Sequence, residues 1–381
     1  MAKQLMLAVA GSGKTYTICN TIDSQKKNLI LAYTHENIRN INRELILKFG
    51  KIPELTSVMT FDSFIYRFII CPFEPTILKF FNEENLRMKG ITMKSSPKKG
   101  EIVDGIWTTN LQYKTKEKFA HYHKNYFYYC DTLTELIAYV KNKEVNLLKK
   151  AAKSINYLFD TIRIDEFQDY REYDYDVIIQ LAKNIDNITL VGDFYQHSVA
   201  AKNNTGKPFK KQKKDISYTE FKQQLEKEKI SIDETTLCKS RRCPHAICKF
   251  IEDKLNIKIE SKSKIDGKVI FLNKDKMAEI LNDKDIVKLV YKDSNTYTFN
   301  CINWSYSKGN TYENTCVILT KEADRLDSDS FNVNVLSIET RNKLYVACTR
   351  SKGNLYFIKN SDFKKIKKLY QKTTFAEENI L

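Results

Sequence analysis

Three short stretches carry residue types that act together on phosphates. The first is AVAGSGKTYT, residues 8–17. A strand-like apolar run, QLMLAVA, leads into it, and a helix-like run follows. In that setting the backbone N–H groups of Ala10, Gly11, Ser12 and Gly13 cradle phosphate oxygens. Lys14 would neutralise β- and γ-phosphate charge, and the Thr15 hydroxyl would hold Mg²⁺. The usual pattern, G-x-x-x-x-G-K-[ST], has Gly where this chain has Ala8, on the strand side of the turn, so the cradle need not be lost. The second stretch is IRIDEFQD, residues 162–169. An apolar strand ends in Asp165, placed for Mg²⁺ through water, and Glu166, placed to orient and deprotonate an attacking water. Acidic pairs often end strands without such a purpose, but this pair falls in the same predicted lobe as the loop. In the third stretch, LVGDFYQH at 190–197, Gln196 stands where it can sense a γ-phosphate and couple it to movement. ATP and Mg²⁺ are the ligands these residues imply.

Such residues act together only if strands deliver them to one edge. The pattern predicts strand 4–9, helix 14–24, strand 28–34, helix 35–49, strand 57–61 and a further helix. This βαβαβ alternation marks a doubly wound parallel sheet, whose ligands gather at the carboxyl ends of the strands. From residue 70 to 151 the chain turns rich in Lys, Tyr and Phe and reads as a mostly helical insertion. The aromatic run 126–129 suits helix or strand equally. Strands resume at 161–167 and 187–194. The basic stretch AKNNTGKPFKKQKKD, 201–215, reads either as a hinge or exposed loop between lobes or as a merely solvated lysine run. A second α/β alternation follows, with strands expected near 235–238, 268–272, 286–291, 297–303, 314–319 and 354–358.

A length of 381 residues suits two domains with an insertion, and a hydrophobic share of 42% supports packed cores. No run reaches the roughly 18 apolar residues of a membrane span. A strand at the very start is expected to leave no room for a signal peptide, so a cytoplasmic location is expected. Nine scattered Cys fit a reducing compartment. Cys238, Cys243, His245 and Cys248 cluster but contain no CxxC pair, and they read as packed thiols rather than metal ligands. The net charge of +16 favours a polyanion such as nucleic acid, although a lysine-rich proteome gives the same excess. Only eleven of the 63 basic residues are Arg, which lends weight to each Arg at a meaningful place.

In order and wording, these motifs resemble superfamily 1A helicases of the UvrD/Rep/PcrA type. The matching segments are GSGKT, LAYTHENIRNINREL (31–45), TFDSFIYRF (60–68), DEFQD (165–169), GDxxQ (192–196), LCKSRRCP (237–244), SYSKGNTYENTCVIL (305–319) and LYVACTRSKGNLYF (344–357). The resemblance implies two RecA-like lobes of a P-loop NTPase: a first lobe over 1–69 and 152–203, the insertion over 70–151, and a second lobe over 204–381. It implies that Arg242 and Arg350 reach the γ-phosphate from the second lobe, so that closure and hydrolysis become one event. Lys308 and Gly309 match the segment that links nucleotide to DNA. Tyr33, Thr34, Thr60, Phe61 and Tyr345 fall where the family faces the nucleic-acid strand, with a core position the equal alternative for Phe61.

The chain also departs from the family. Arg241 stands where an adenine-stacking Tyr is usual and would act by cation–π contact. The upstream Gln that reads adenine is expected to be missing. Val199 and Ala201 replace strand-stacking aromatics, each worth roughly 1–3 kcal/mol per base. Asp62 replaces a His, and Thr311 a Glu. Only 65 residues separate Arg242 from Lys308, which leaves no space for the large accessory domain of the family. The implied activity is a DNA-dependent ATPase that translocates on, or unwinds, single-stranded or tailed DNA with 3′-to-5′ polarity, as in repair. The alternative is a nucleotide-gated DNA sensor serving a partner nuclease, as in anti-phage defence. An RNA-directed enzyme is a third reading, and the chain shows no nuclease constellation of its own.

Overall fold

Alternating strands and helices build two parallel sheets in the computed structural model, which describes residues 3–103, 106–141, 146–199 and 206–372. The chain divides into two units. The first comprises Met1–Leu5, Thr15–Val191 and Thr205–Ile232; the second comprises Met6–Lys14, Gly192–Asn204 and Asp233–Leu381. Among the described residues no helix is long and apolar enough to cross a membrane.

The first sheet contains β1 (Lys3–Leu7), β2 (Asn28–Ala32), β3 (Thr56–Thr60), β4 (Thr161–Ile164), β5 (Ile188–Gly192) and β6 (Ser231–Asp233), in the order β6-β1-β5-β4-β2-β3. Strands β2, β3, β4 and β5 pair in parallel, with Leu31 opposite both Met59 and Ile164. All five residues of β2 are buried, as expected for a parallel strand covered on both faces. Two helices leave this sheet at positions relevant to function: α1 (Lys14–Asn20) follows the phosphate loop, and α2 (His35–Phe49) follows β2. Gly50 ends α2 in the left-handed conformation, φ 75°, returning its N–H to the Ile46 carbonyl at 2.8 Å.

The insertion is helical at its ends, with helices at Cys71–Phe80, Leu133–Lys141 and Leu147–Leu158. Between them the chain forms short strands, a departure from the helical reading of that stretch. Gly100–Val103 pairs with Ile106–Thr109 in an antiparallel ladder, and Phe127–Tyr129 pairs with both His123–Lys124 and Gly90–Thr92. The aromatic run at 126–129 is thus largely strand, with Tyr128 and Tyr129 buried and Phe127 exposed.

The basic stretch is folded over 206–215, and its first residues lie outside the described ones. Lys210–Lys211 pairs with Lys214–Asp215, and the anchor is Phe209, 1% exposed. Phe209 stacks on Phe221 at 5.1 Å and 13°, and the Arg171 guanidinium lies 4.1 Å from its ring. The following helix, Tyr218–Lys227, starts with a Ser217–Glu220 capping box. Residues 206–227 belong to the first unit.

The second sheet is parallel throughout. Its strands β7 (Val269–Phe271), β8 (Val287–Val290), β9 (Cys301–Asn303), β10 (Thr315–Ile318) and β11 (Leu355–Ile358) lie in the order β7-β11-β10-β8-β9. Helices α3 (His245–Leu255) and α4 (Ile338–Cys348) contribute buried residues to its core, as does Trp304, whose indole N–H donates to the Leu289 carbonyl. The strand expected at 235–238 is absent. The Asp233 carboxylate accepts from the backbone N–H groups of Thr235 and Thr236, turning the chain, and extended pairing begins only at Lys239–Ser240.

Candidate active site

In the first unit, β4 delivers Asp165 to the carboxyl end of the sheet. Asp165 is 1% exposed, and the Thr15 hydroxyl at the start of α1 donates to its Oδ2 at 3.2 Å. Glu166 follows in the left-handed region, φ 53°, an unusual conformation for a side chain of this size. Its N–H donates to Asp165 Oδ1 at 2.9 Å, and the Gln168 amide donates to its carboxylate. Strain of this kind is stored where the surrounding structure over-determines it, commonly at functional sites. A buried carboxylate beside a hydroxyl is the hard-oxygen pairing that suits a small divalent cation.

Thr34 and Thr60 also sit at carboxyl ends of strands, and both are helix N-caps. The Thr34 hydroxyl accepts from the Asn37 N–H, and the Thr60 hydroxyl from the Ser63 N–H. Tyr33 is half-buried, edge-on to Tyr170 at 5.3 Å. Phe61 corrects one of the two readings held open for it: at 2% exposed it packs on Phe64 and Tyr170, so it is core and offers no ring to a nucleic-acid strand.

In the second unit the phosphate loop leaves the sheet with Ala8 donating to the Gly192 carbonyl and Val9 to the Leu237 carbonyl. Ala8 therefore still belongs to the extended backbone, where a methyl group is accommodated. Gly11 and Gly13 have φ of 73° and 91°, a conformation that lets successive amides form an anion-binding concavity. Ser12 Oγ is buried in this loop with no hydrogen-bond partner, as expected of a donor facing a phosphate oxygen. Gly11 is needed for a second reason. A Cβ there would lie 2.6 Å from the Arg242 Cβ and 2.8 Å from Ser240 Oγ, and the Arg241 N–H donates to the Gly11 carbonyl at 2.9 Å. The Arg241 side chain itself is exposed.

The two arginines singled out by the sequence converge here. Arg242 donates to the Thr349 carbonyl at 3.1 Å, while Arg350, 2% exposed, donates through Nη2 to Thr349 Oγ1 at 3.0 Å. Arg350 Nη1 reaches the carbonyls of Ser307 and Asn310, bracketing Lys308 and the exposed Gly309. Burial, and then the Arg242 charge, pull the Arg350 guanidinium down to about 9. An anion received by both arginines would relieve that repulsion.

Gln196, 3% exposed, donates from Nε2 to Asp193 Oδ2 at 2.7 Å. Asp193 is completely buried. Burial raises its carboxyl to about 6, opposed by the Lys14 charge and by hydrogen bonds from Gln196, Tyr345 and the Tyr195 N–H. Tyr345 is a correction. Expected to face nucleic acid, it is 0% exposed and joins the loop to the acid instead: the Ala10 N–H donates to its hydroxyl at 2.8 Å, and the hydroxyl donates to Asp193 Oδ2 at 3.1 Å. Asp193 was visible as the acid of GDxxQ yet assigned no role. His197 and Asn342, both buried and 3.4 Å apart at Nδ1 and Nδ2, gave no signal in the sequence. Cys243 and Cys248 are buried, and among the described residues no group of three or more His, Cys, Asp or Glu could hold a metal. Ala201 lies outside the described residues.

A family model described as the viral superfamily 1 RNA helicase core domain matches residues 114–359, and one described as an AAA domain matches residues 2–202. Among solved structures, the chain is similar to the PRRSV helicase, at 13% identity over 97% of this chain and 55% of that one, with a TM-score of 0.44. It is also similar to arterivirus nonstructural protein 10 (helicase) in complex with DNA, at 12% identity, 93% and 60% coverage and a TM-score of 0.44. The crystal structure of arterivirus nonstructural protein 10 (helicase) gives 13% identity, 96% and 62% coverage, and a TM-score of 0.41. The chain thus spans between 55% and 62% of the length of these structures. No curated protein sequence matches it. Each family model covers more than half of the chain, and the chain belongs to the superfamily 1 helicases, within the family of the viral superfamily 1 RNA helicase core domain.

Proposed function

We propose that this chain hydrolyses ATP with Mg²⁺ and uses the hydrolysis to move along single-stranded nucleic acid. The observation that carries this reading is the convergence of Arg242, Arg350, Gln196 and the phosphate loop in one unit, with a partnerless Ser12 hydroxyl buried in the loop. Thr15 and Asp165 would hold Mg²⁺, which supplies charge neutralisation on the phosphates. Lys14 and the loop amides bind and orient the triphosphate. Glu166 positions and deprotonates water, and Gln196 reports the terminal phosphate. The UvrD/Rep/PcrA resemblance of the motifs favours DNA and 3′-to-5′ movement. The description of the matching family favours RNA.

A second reading, a nucleotide-gated sensor acting with a partner nuclease, is favoured by a specific observation. Phe61 and Tyr345, two residues at positions where the family faces the nucleic-acid strand, are both in the core, and Val199 stands where the family stacks an aromatic on a base. Each lost platform weakens the grip a translocating motor needs.

ATP hydrolysis measured with single-stranded DNA and RNA side by side tests the first reading. Stimulation of about tenfold or more by one polymer, abolished by Lys14→Ala and by Glu166→Gln, is the expected result. Hydrolysis indifferent to any nucleic acid would sink the motor reading and leave the sensor. Strand displacement on a 3′-tailed duplex then separates unwinding from sensing.

A further inference from the structure

The Asp193 carboxylate is the junction of a buried hydrogen-bond chain that runs from the phosphate loop to Gln196. Ala10 N–H donates to the Tyr345 hydroxyl, and that hydroxyl has a single hydrogen, which goes to Asp193 Oδ2. Gln196 Nε2 donates to the same Oδ2 at 2.7 Å, and the Tyr195 N–H donates to Oδ1 at 3.0 Å. Ala10, Asp193 and Tyr345 are all 0% exposed, so water is poorly placed to replace a lost partner. Charged groups around Asp193 include Lys14 on the loop and Arg350 beyond α4, with the Tyr195 phenol beside it.

A buried carboxylate oxygen holds each donor more tightly when it has fewer of them. We propose that Tyr345 is a positioning residue whose hydroxyl shares Asp193 Oδ2 with Gln196, freeing the Gln196 amide to turn towards the nucleotide while fixing the loop at Ala10. Without the hydroxyl, Asp193 retains Gln196, and the loop keeps a buried N–H unsatisfied. Tyr345 lies on α4, five residues before Arg350, whose Nε donates to the Val346 carbonyl. The same helix end therefore sets both the arginine and the release of Gln196. This inference rests on the reading that Gln196 meets the terminal phosphate.

The test is steady-state ATP hydrolysis from about pH 5 to 9 by the wild type, Tyr345→Phe, Gln196→Ala and the double variant, each checked for a cooperative thermal melt. Tyr345→Phe is expected to lower kcat about tenfold and leave KM within about twofold, the loss of one hydrogen bond to a charged group. Gln196→Ala is expected to cost far less in the Tyr345→Phe background than in the wild type, because the two residues act on one oxygen. The acid limb of the rate profile moves to higher pH, since a carboxylate that loses a donor is harder to ionise. Asp193→Asn, which keeps the volume, is a second variant, and the acid limb should vanish in it. Independent, multiplying effects of the two single changes, or an acid limb that survives Asp193→Asn, would overturn the proposal. An inactive wild type would instead remove the hydrolysis reading. In that case carboxyl NMR titration of Asp193 in the nucleotide-free protein decides, because an unchanged titration in Tyr345→Phe rejects the shared junction.

Discussion

Asp165 and Asp193 each follow the carboxyl end of a parallel strand, β4 and β5, and both are buried. Each is the first residue after its strand. Their partners make them different. Asp165 accepts from the hydroxyl of Thr15 and from the Glu166 N–H, and under the proposed function it would be an oxygen ligand of Mg²⁺. Asp193 faces amide and phenol donors, so its charge is held by hydrogen bonds, and burial still lifts it to about 6. The carboxyl edge of a parallel sheet supplies an address for chemistry. The segment that arrives opposite decides which donors the acid there receives.

That contrast can be broken experimentally. The largest effect is expected for Asp165→Asn, which should lower kcat by about a thousandfold and raise the Mg²⁺ concentration needed for half-maximal rate. A Mg²⁺ requirement unchanged in this variant would dissolve the distinction between the two acids. Asp193→Asn should cost about tenfold in kcat and leave the Mg²⁺ titration where it is. If this variant alone shifted the Mg²⁺ titration, the roles would have to be exchanged.

The smallest effect concerns stability and an acid away from the site. Asp174 accepts from the Thr134 hydroxyl at 2.7 Å, and burial raises its carboxyl to about 7, with a further push from Asp62, itself raised to about 6. A carboxyl raised in the folded state binds more protons there than in the unfolded chain between its two pKa values. Its neutral form therefore favours folding, and stability falls as pH rises from about 4 to 7. Asp174→Asn removes that charge and keeps an acceptor for Thr134. It is expected to stabilise the protein by about 1–2 kcal/mol at about pH 8, with little effect near pH 5. The gain is set below the full linkage value because Asp174 retains some solvent contact. Equal melting shifts at both pH values would show that ionisation of the Asp174 carboxyl does not set this pH dependence.

Much of the site was legible because local sequence determines it. The loop glycines, the Thr15 hydroxyl and the acid at the end of β4 sit at fixed spacings within single strand-to-helix turns, and the structure places them accordingly. Arg242 and Arg350, each read from a short motif, meet beside Thr349. Tyr345 was misread for a physical reason. Its helix, α4, buries Asn342 and all five residues from Leu344 to Cys348, so its apolar residues mark no single face. A helix covered on all sides has no period from which to infer where a side chain points. The insertion failed differently: its strands are only two to four residues long, too short for alternation to outweigh a run of Lys and Tyr.

The sequence by itself determined the two α/β alternations, the phosphate loop and the acids and arginines that fall at strand and helix ends, because each depends on contacts a few residues apart. Tertiary structure alone decided which of those groups meet. The bond between Tyr345 and Asp193 spans 152 residues and that between Ala10 and Tyr345 spans 335. Hydrogen bonds over such separations leave no local pattern. They exist because burial removes water and forces each polar group to find its partner within the fold.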